Sequence, residues 1–248
     1  MGWSHNRAQR WIAIGLSFTV VVYVTYGLDG AAMYLAAYLI ECALSADSLL
    51  PLSLVLDANR VRDDARPRLF GWAIGIAIVS RAIVLAGGAY LARAYDDALY
   101  LFGGYLAYQA IRCLREDDVH AEVDGFVDRW VRHVRAMRSP AAACLLQIAY
   151  VESIYAFDSL AALSISSVLL IVITANILAT LATRGPGVLT RIRPSRAVIA
   201  ALLLLTGAKL LAHAYLDVPP LIMLALVATI IGAGVIATTL APRNPRNP

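Results

Sequence analysis

The chain is poor in charge. Only 15% of its 248 residues are Asp, Glu, Lys or Arg, against roughly 25% in soluble domains. Lysine is almost missing: of 21 basic residues, Lys209 alone is lysine and the rest are arginine. That shortage, with 60% hydrophobic residues and a mean hydropathy of +0.69, excludes a soluble globular domain and a disordered or collagen-like chain. There are three cysteines, Cys42, Cys113 and Cys144. They lie in or beside apolar runs with no metal-binding spacing, so small buried hydrophobes are expected and a disulfide framework is not. The net charge of +4 is no nucleic-acid signal here, because the arginines gather between apolar runs where they set membrane orientation.

What the chain does have is long apolar runs. Eight are readable, at about 11–28, 31–56, 69–92, 98–114, 141–164, 167–183, 197–216 and 220–240. A spanning helix needs about 20 mostly apolar residues, and the fourth and sixth runs are short. The first is long for a signal-peptide core, so a retained helix is expected. Starting inside, eighteen arginines fall on the cytoplasmic side, in the segments 1–10, 57–68, 112–138, 184–196 and 243–246. Arg93 alone falls outside. This bias gives cytoplasmic N and C termini and a multi-pass protein of the cytoplasmic membrane. Between runs four and five, Val119, Val123, Phe126, Trp130, Val134 and Met137 recur at helical spacing. They suggest an amphipathic helix on the cytoplasmic leaflet, with a metal-sensing acidic cluster as the sharper alternative.

Four acids sit within the runs: Glu41, Asp47, Glu152 and Asp158. Each costs on the order of 3 kcal/mol to insert at a helix centre, so together they point to function. They form two copies of one pattern. Glu41-x5-Asp47-Ser48-Leu49 continues to Leu52-Ser53, and Glu152-x5-Asp158-Ser159-Leu160 continues to Leu163-Ser164, at a constant offset of 111 residues. Gly104-Tyr-Leu-Ala-Tyr-Gln is echoed by Gly207-Ala-Lys-Leu-Leu-Ala. A tandem repeat of three spans must invert, which is a plan of secondary transporters with a midplane site. The expected fold is an all-α polytopic membrane helix bundle of about eight transmembrane helices, with two inverted three-helix repeats. It is read as a single transmembrane domain, 1–248. Within it lie an N-terminal helix (1–30), a first repeat (31–114), a cytoplasmic loop (115–140), a second repeat (141–216), and a last helix and tail (217–248).

Six residues turn an ideal helix through about 600°, so each Glu–Asp pair lies about 120° apart and 9 Å along the axis. Glu41, Ser45 and Ser48 share a stripe and Asp47 points elsewhere. Both acids meet one ion only if the helix breaks or a second helix contributes. Pro51 either frees the Asp47 carbonyl as a ligand or merely kinks the helix; Ala162 stands at that place in the second copy. Arg81 and Lys209 also lie within runs, leaving −2 against the four acids. One divalent cation or two protons neutralises that. Carboxylates, the hydroxyls of Ser48 and Ser159, and carbonyls suit Mn²⁺, Mg²⁺ or Ca²⁺. No histidine adjoins the motifs, which disfavours Zn²⁺ and Cu⁺. Arg81 and Lys209 either pair with the acids to ease insertion or take part in gating. Asn176 is read as an interhelical hydrogen bond before a ligand.

These motifs resemble the TerC (tellurium-resistance C) family of integral membrane proteins. The first family motif appears as Glu41-Cys-Ala-Leu44-Ser45-Ala-Asp47-Ser48, and the second as Glu152-Ser-Ile-Tyr155-Ala156-Phe-Asp158-Ser159-Leu-Ala161-Ala162. Asn176-Ile177-Leu-Ala179-Thr-Leu181-Ala182-Thr-Arg184, Arg81-Ala82-Ile83 and Gly207-Ala-Lys209 follow the family pattern in order, over roughly 31–216. The resemblance implies Mn²⁺ export or metal homeostasis, with Glu41, Asp47, Glu152 and Asp158 at the ion. Ser48 stands for Asn, Glu152 for Asp and Ala161 for Pro, which alters reach and implies a continuous fifth helix. The expected activity is divalent-cation transport, Mn²⁺ foremost, with protons as the exchanging ion. No tightly bound cofactor is expected; the partners are the lipid bilayer and the metal ion, with a homo-oligomer open and no nucleic acid. The alternatives are a metal-handling membrane partner or scaffold and, further off, an intramembrane enzyme. A reporter active only outside the cytoplasm tests the orientation: fused after residue 248 it should be silent, and fused at 95–97 it should be active.

Overall fold

The computed structural model describes residues 3–47, 52, 55, 56, 59, 65–95, 97–115, 140–163, 168–183 and 195–240, with backbone only at 3–9, 46, 47, 140–143, 163 and 240. These described residues are helical almost throughout. In chain order the helices are α1 (Trp3–Asp47), α2 (Arg66–Ala94), α3 (Asp97–Arg115), α4 (Pro140–Ala156), a 3-10 turn (Phe157–Ser159), α5 (Leu160–Leu163), α6 (Leu169–Thr183), α7 (Arg196–Leu211) and α8 (Pro220–Leu240). Helix therefore occupies every one of the eight apolar runs. Three stretches are long and apolar enough to cross a membrane: Arg10–Ser45, Arg66–Ala94 and Pro220–Thr239. Ser48, Pro51, the amphipathic stretch at 116–139 and the tail from 241 lie outside the described residues.

α1 covers the first two runs and is in fact a hairpin. As a straight rod its 45 residues would reach about 68 Å, more than twice the roughly 30 Å hydrocarbon core. Gly27 breaks it, with φ +71° and ψ −166°. That left-handed backbone carries no steric penalty only in glycine. The fold-back is read from contacts. The Tyr34 hydroxyl donates to the Gly15 carbonyl at 2.8 Å, and the rings of Phe18 and Tyr34 lie 5.5 Å apart. On a straight helix residues 15 and 34 would be about 28 Å apart. The arms 3–26 and 28–47 thus run back along one another.

Local chemistry starts the other helices. Pro67 lies in the first turn of α2, and α8 opens on Pro220, where a missing N–H costs nothing. Ser195 caps α7 by accepting from the Val198 amide at 3.4 Å. Inside the helices the hydroxyls of Thr25, Thr183, Thr206 and Thr229 donate to carbonyls three or four residues back. In lipid a hydroxyl must find such a partner.

α1 packs mainly on α6, α4 on α2, and α3 on α7, while α8 lies against α1. The interfaces use small side chains. Ala36, Ala37, Ala73, Ala77, Ala161, Ala162, Ala175 and Ala179 are fully buried, whereas Val24, Leu101 and Tyr90 are largely exposed. That is the arrangement of a bundle whose outer surface meets lipid. The tightest crossing is reciprocal. A Cβ on Gly103 would meet the Gly207 carbonyl at 2.9 Å, and a Cβ on Gly207 would meet the Gly103 carbonyl at 2.9 Å. Gly104, which the sequence echo selects, has open space around it. The contact falls on Gly103 and not on its neighbour because it depends on which helix face is turned inward.

The fifth run departs from the expected continuous helix. At Phe157–Ser159 it tightens into a 3-10 turn before α5, although Ala161 replaces the family proline. Short 3-10 segments within helices mark strain or function, and this one falls on the Asp158-Ser159 pair.

Gly207→Ala should force α3 and α7 apart and lower stability by roughly 1–3 kcal/mol. Gly104→Ala should change it by less than about 0.5 kcal/mol. Thermal unfolding of the detergent-solubilised protein distinguishes the two.

Candidate functional site

Glu41 lies in the second arm of α1 and is fully buried. An ionised carboxylate there needs a partner. α2 brings one. Arg81, at the middle of that helix and 1% exposed, places Nη1 3.0 Å from Glu41 Oε2. The same nitrogen donates to the hydroxyl of Ser45, one turn beyond Glu41 on the stripe read from the sequence. The second motif copy meets the first at this carboxylate. Ser159, presented by the 3-10 turn, donates to Glu41 Oε2 at 3.3 Å. Asn176 of α6 donates through Nδ2 to Ser159 Oγ at 3.2 Å. Both Asn176 and Ser159 are 1% exposed. Two donors from different segments, Arg81 of α2 and Ser159 of the 3-10 turn, thus meet on one oxygen of one acid, and Asn176 of α6 reaches it through Ser159.

The other oxygen is bare. Glu41 Oε1 and Arg81 Nε are both buried and have no hydrogen-bond partner among the described residues. The ion pair is single-point, where an arginine and a carboxylate at their best geometry form two parallel bonds.

Glu152 is fully buried on α4. Asp158 is half-buried and turns toward α3, where Gln109 Nε2 donates to its Oδ1 at 3.4 Å. Beside it the rings of Tyr105 and Phe157 meet edge-on at 6.1 Å. Asp158 and Ser159 are therefore adjacent in sequence but engage different helices. Lys209 on α7 is half-buried. Asp47 is helical in backbone, and its side chain lies outside the described residues, as does Ser48. Among the described residues no three His, Cys, Asp or Glu side chains gather in a way that would hold a metal ion.

Two participants carried little signal in the sequence. Gln109 is a lone amide in an apolar run, readable only as a second polar group on α3. Gln147 of α4 accepts from Asn59 Nδ2 at 2.6 Å, and its own Nε2 is buried without a partner among the described residues.

Fold and site define a multi-pass integral membrane protein, an all-helical bundle with an ion-paired carboxylate at its interior. The chain belongs to the TerC family of integral membrane proteins, whose family model matches residues 26–246. It is 24% identical to an uncharacterized membrane protein of Myxococcus xanthus over 98% of this chain and 83% of that one. It is 24% identical to a Salmonella typhi protein that carries the name membrane-bound redox modulator Alx, over 96% of this chain and 83% of that one. A tellurium resistance protein TerC of Serratia marcescens is 27% identical over 116 residues, 47% of this chain and 34% of that one. No solved structure matches the chain.

Ser159→Ala removes the hydroxyl that links Asn176 to Glu41 and leaves a buried amide without its acceptor. A stability loss of about 1–3 kcal/mol is expected. Ser153→Ala, whose exposed hydroxyl bonds only the Ala149 carbonyl, should be near neutral. Unfolding midpoints of the two variants check this.

Proposed function

We propose that this protein is a secondary transporter that exports a divalent cation, Mn²⁺ foremost, across the cytoplasmic membrane, with protons carried in return. The observation that carries the reading is the meeting of both motif copies at Glu41. A fully buried carboxylate from the first copy accepts a hydrogen bond from Ser159 of the second, and its other oxygen has no partner among the described residues. A purely structural acid would be satisfied on both oxygens. An acid kept for a cation needs a free one.

Helix packing supports an inverted repeat. Let the first repeat be the second arm of α1, then α2 and α3, and let the second be α4–α5, then α6 and α7. A two-fold relation then predicts that the first member of each repeat packs on the second member of the other. It also predicts that the third members pack on each other. α1 on α6, α4 on α2 and α3 on α7 follow that rule. The reciprocal Gly103–Gly207 contact follows it too. Arginine placement supports eight crossings with both termini cytoplasmic.

The cation's ligands are drawn from Glu41, Asp47, Glu152 and Asp158, with Ser48 and Ser159 supplying hydroxyl oxygen. All are hard oxygen donors, which favour Mn²⁺ over thiophilic ions. Glu41 and Asp158 face different neighbours, so bringing them to one ion requires movement. The 3-10 turn between Ala156 and Leu160 is where the helix can change its winding. Protons take the cation's place on the acids during return, since the spans otherwise carry −2.

Proteoliposomes with Mn²⁺ on one side and a Mn²⁺-quenched dye on the other test the reading. Wild type should quench, and Asp158→Asn should slow quenching about tenfold or more, the effect of roughly 1.4 kcal/mol in one ligand interaction. Equal rates for the two proteins would overturn it. Binding of Mn²⁺ without flux would point to a metal-handling partner instead.

A further inference from the structure

We infer that Arg81 is a tethered counter-cation that occupies Glu41 when the cargo is absent and must leave that carboxylate when the cargo binds. The inference deepens the transport reading and rests on it.

Three features of the pair support this. First, the contact is incomplete. Arg81 reaches Glu41 through Nη1, and among the described residues both Arg81 Nε and Glu41 Oε1 are buried without a hydrogen-bond partner. A pair kept only for stability in this environment would be drawn into two-point contact, since each buried orphan costs free energy. Second, Arg81 already holds an alternative partner. Its Nη1 donates to Ser45 as well as to Glu41, so withdrawal from the carboxylate leaves it hydrogen-bonded. Third, the surrounding donors hold the acid in place without it. Ser159, itself held by Asn176, keeps Glu41 Oε2 oriented. The carboxylate then presents Oε1 to an incoming cation.

The identity of the residue matters. An arginine keeps its charge at any physiological pH, so it cannot vacate the site by losing a proton, as a lysine can. It has to move. Two positive charges at one buried carboxylate repel strongly at short range. Cargo and guanidinium therefore compete for Glu41. Two consequences follow. Cargo affinity is lowered by the competition, which aids release. The empty carrier also returns with Glu41 neutralised, so no exchanged proton is needed at this acid. The exchanged protons fall to the other three.

The test is equilibrium Mn²⁺ binding to purified protein, measured beside Mn²⁺ flux. Arg81→Met and Arg81→Gln remove the competing charge. The glutamine retains a donor for Ser45 and serves if the methionine variant does not fold. Either should bind Mn²⁺ about tenfold more tightly than wild type or better, while sustained flux falls. Arg81→Lys keeps a charge and should bind within about threefold of wild type. A merely structural arginine would give weaker or unchanged binding in the neutral variants, and that result overturns the inference. If wild type moves Mn²⁺ and the neutral variants bind no more tightly, the inference fails and the transport reading stands. If neither wild type nor the neutral variants bind or move Mn²⁺, both fail.

Discussion

A guanidinium from α2 and a carboxylate from the second arm of α1, each sealed from water, are paired inside the bundle. Moving either ion alone into a low-dielectric interior is prohibitively costly, with several kcal/mol remaining even after relaxation. The two must therefore stay close, and the helices that carry them are held in register. Ser159 and Asn176 extend the constraint to the 3-10 turn and α6. Lipid tails are as apolar as leucine, so burying apolar side chains gives little drive for helices to associate in a bilayer. Polar contacts of this kind decide where such helices meet.

Close packing does the rest. With alanines buried between α1, α2 and α6, and Gly103 against Gly207 between α3 and α7, backbones approach closely and dispersion contacts accumulate. The large apolar side chains go outward. Val24, Leu101 and Tyr90 are exposed, which would be a liability in water and is the right surface for lipid. Bundle and polar centre are thus complementary. Small residues let the helices come together, and the ion pair sets at which height they do so.

The balance at Glu41 joins stability to function. One of its oxygens is held by Arg81 and Ser159 while the other has no partner among the described residues. That leaves the bundle a fixed geometry and an unused acceptor in the same residue. Asp158, two turns along the other copy from Glu152, is turned toward Gln109 and is half-exposed. The acids of the two copies are alike in sequence and unlike in surroundings.

Much of this was legible in the residues. The apolar runs located every helix, because 20 consecutive apolar residues have few other fates. The repeated Glu-x5-Asp-Ser pattern marked Glu41 and Ser159, because charges in a bilayer are kept only for cause. Other features needed the folded chain. Gly27 as the hairpin turn, Gly103 as the contact glycine, and the 3-10 turn without its proline depend on long-range packing. Periodicity gives a helix its inner face only when one side is polar, and here nearly all sides are apolar. The kinds of element and the chemistry at their centre were therefore settled by composition and spacing. Which oxygen is occupied, and by whom, is set by the rotations of four helical segments about their axes, and only long-range packing selects those.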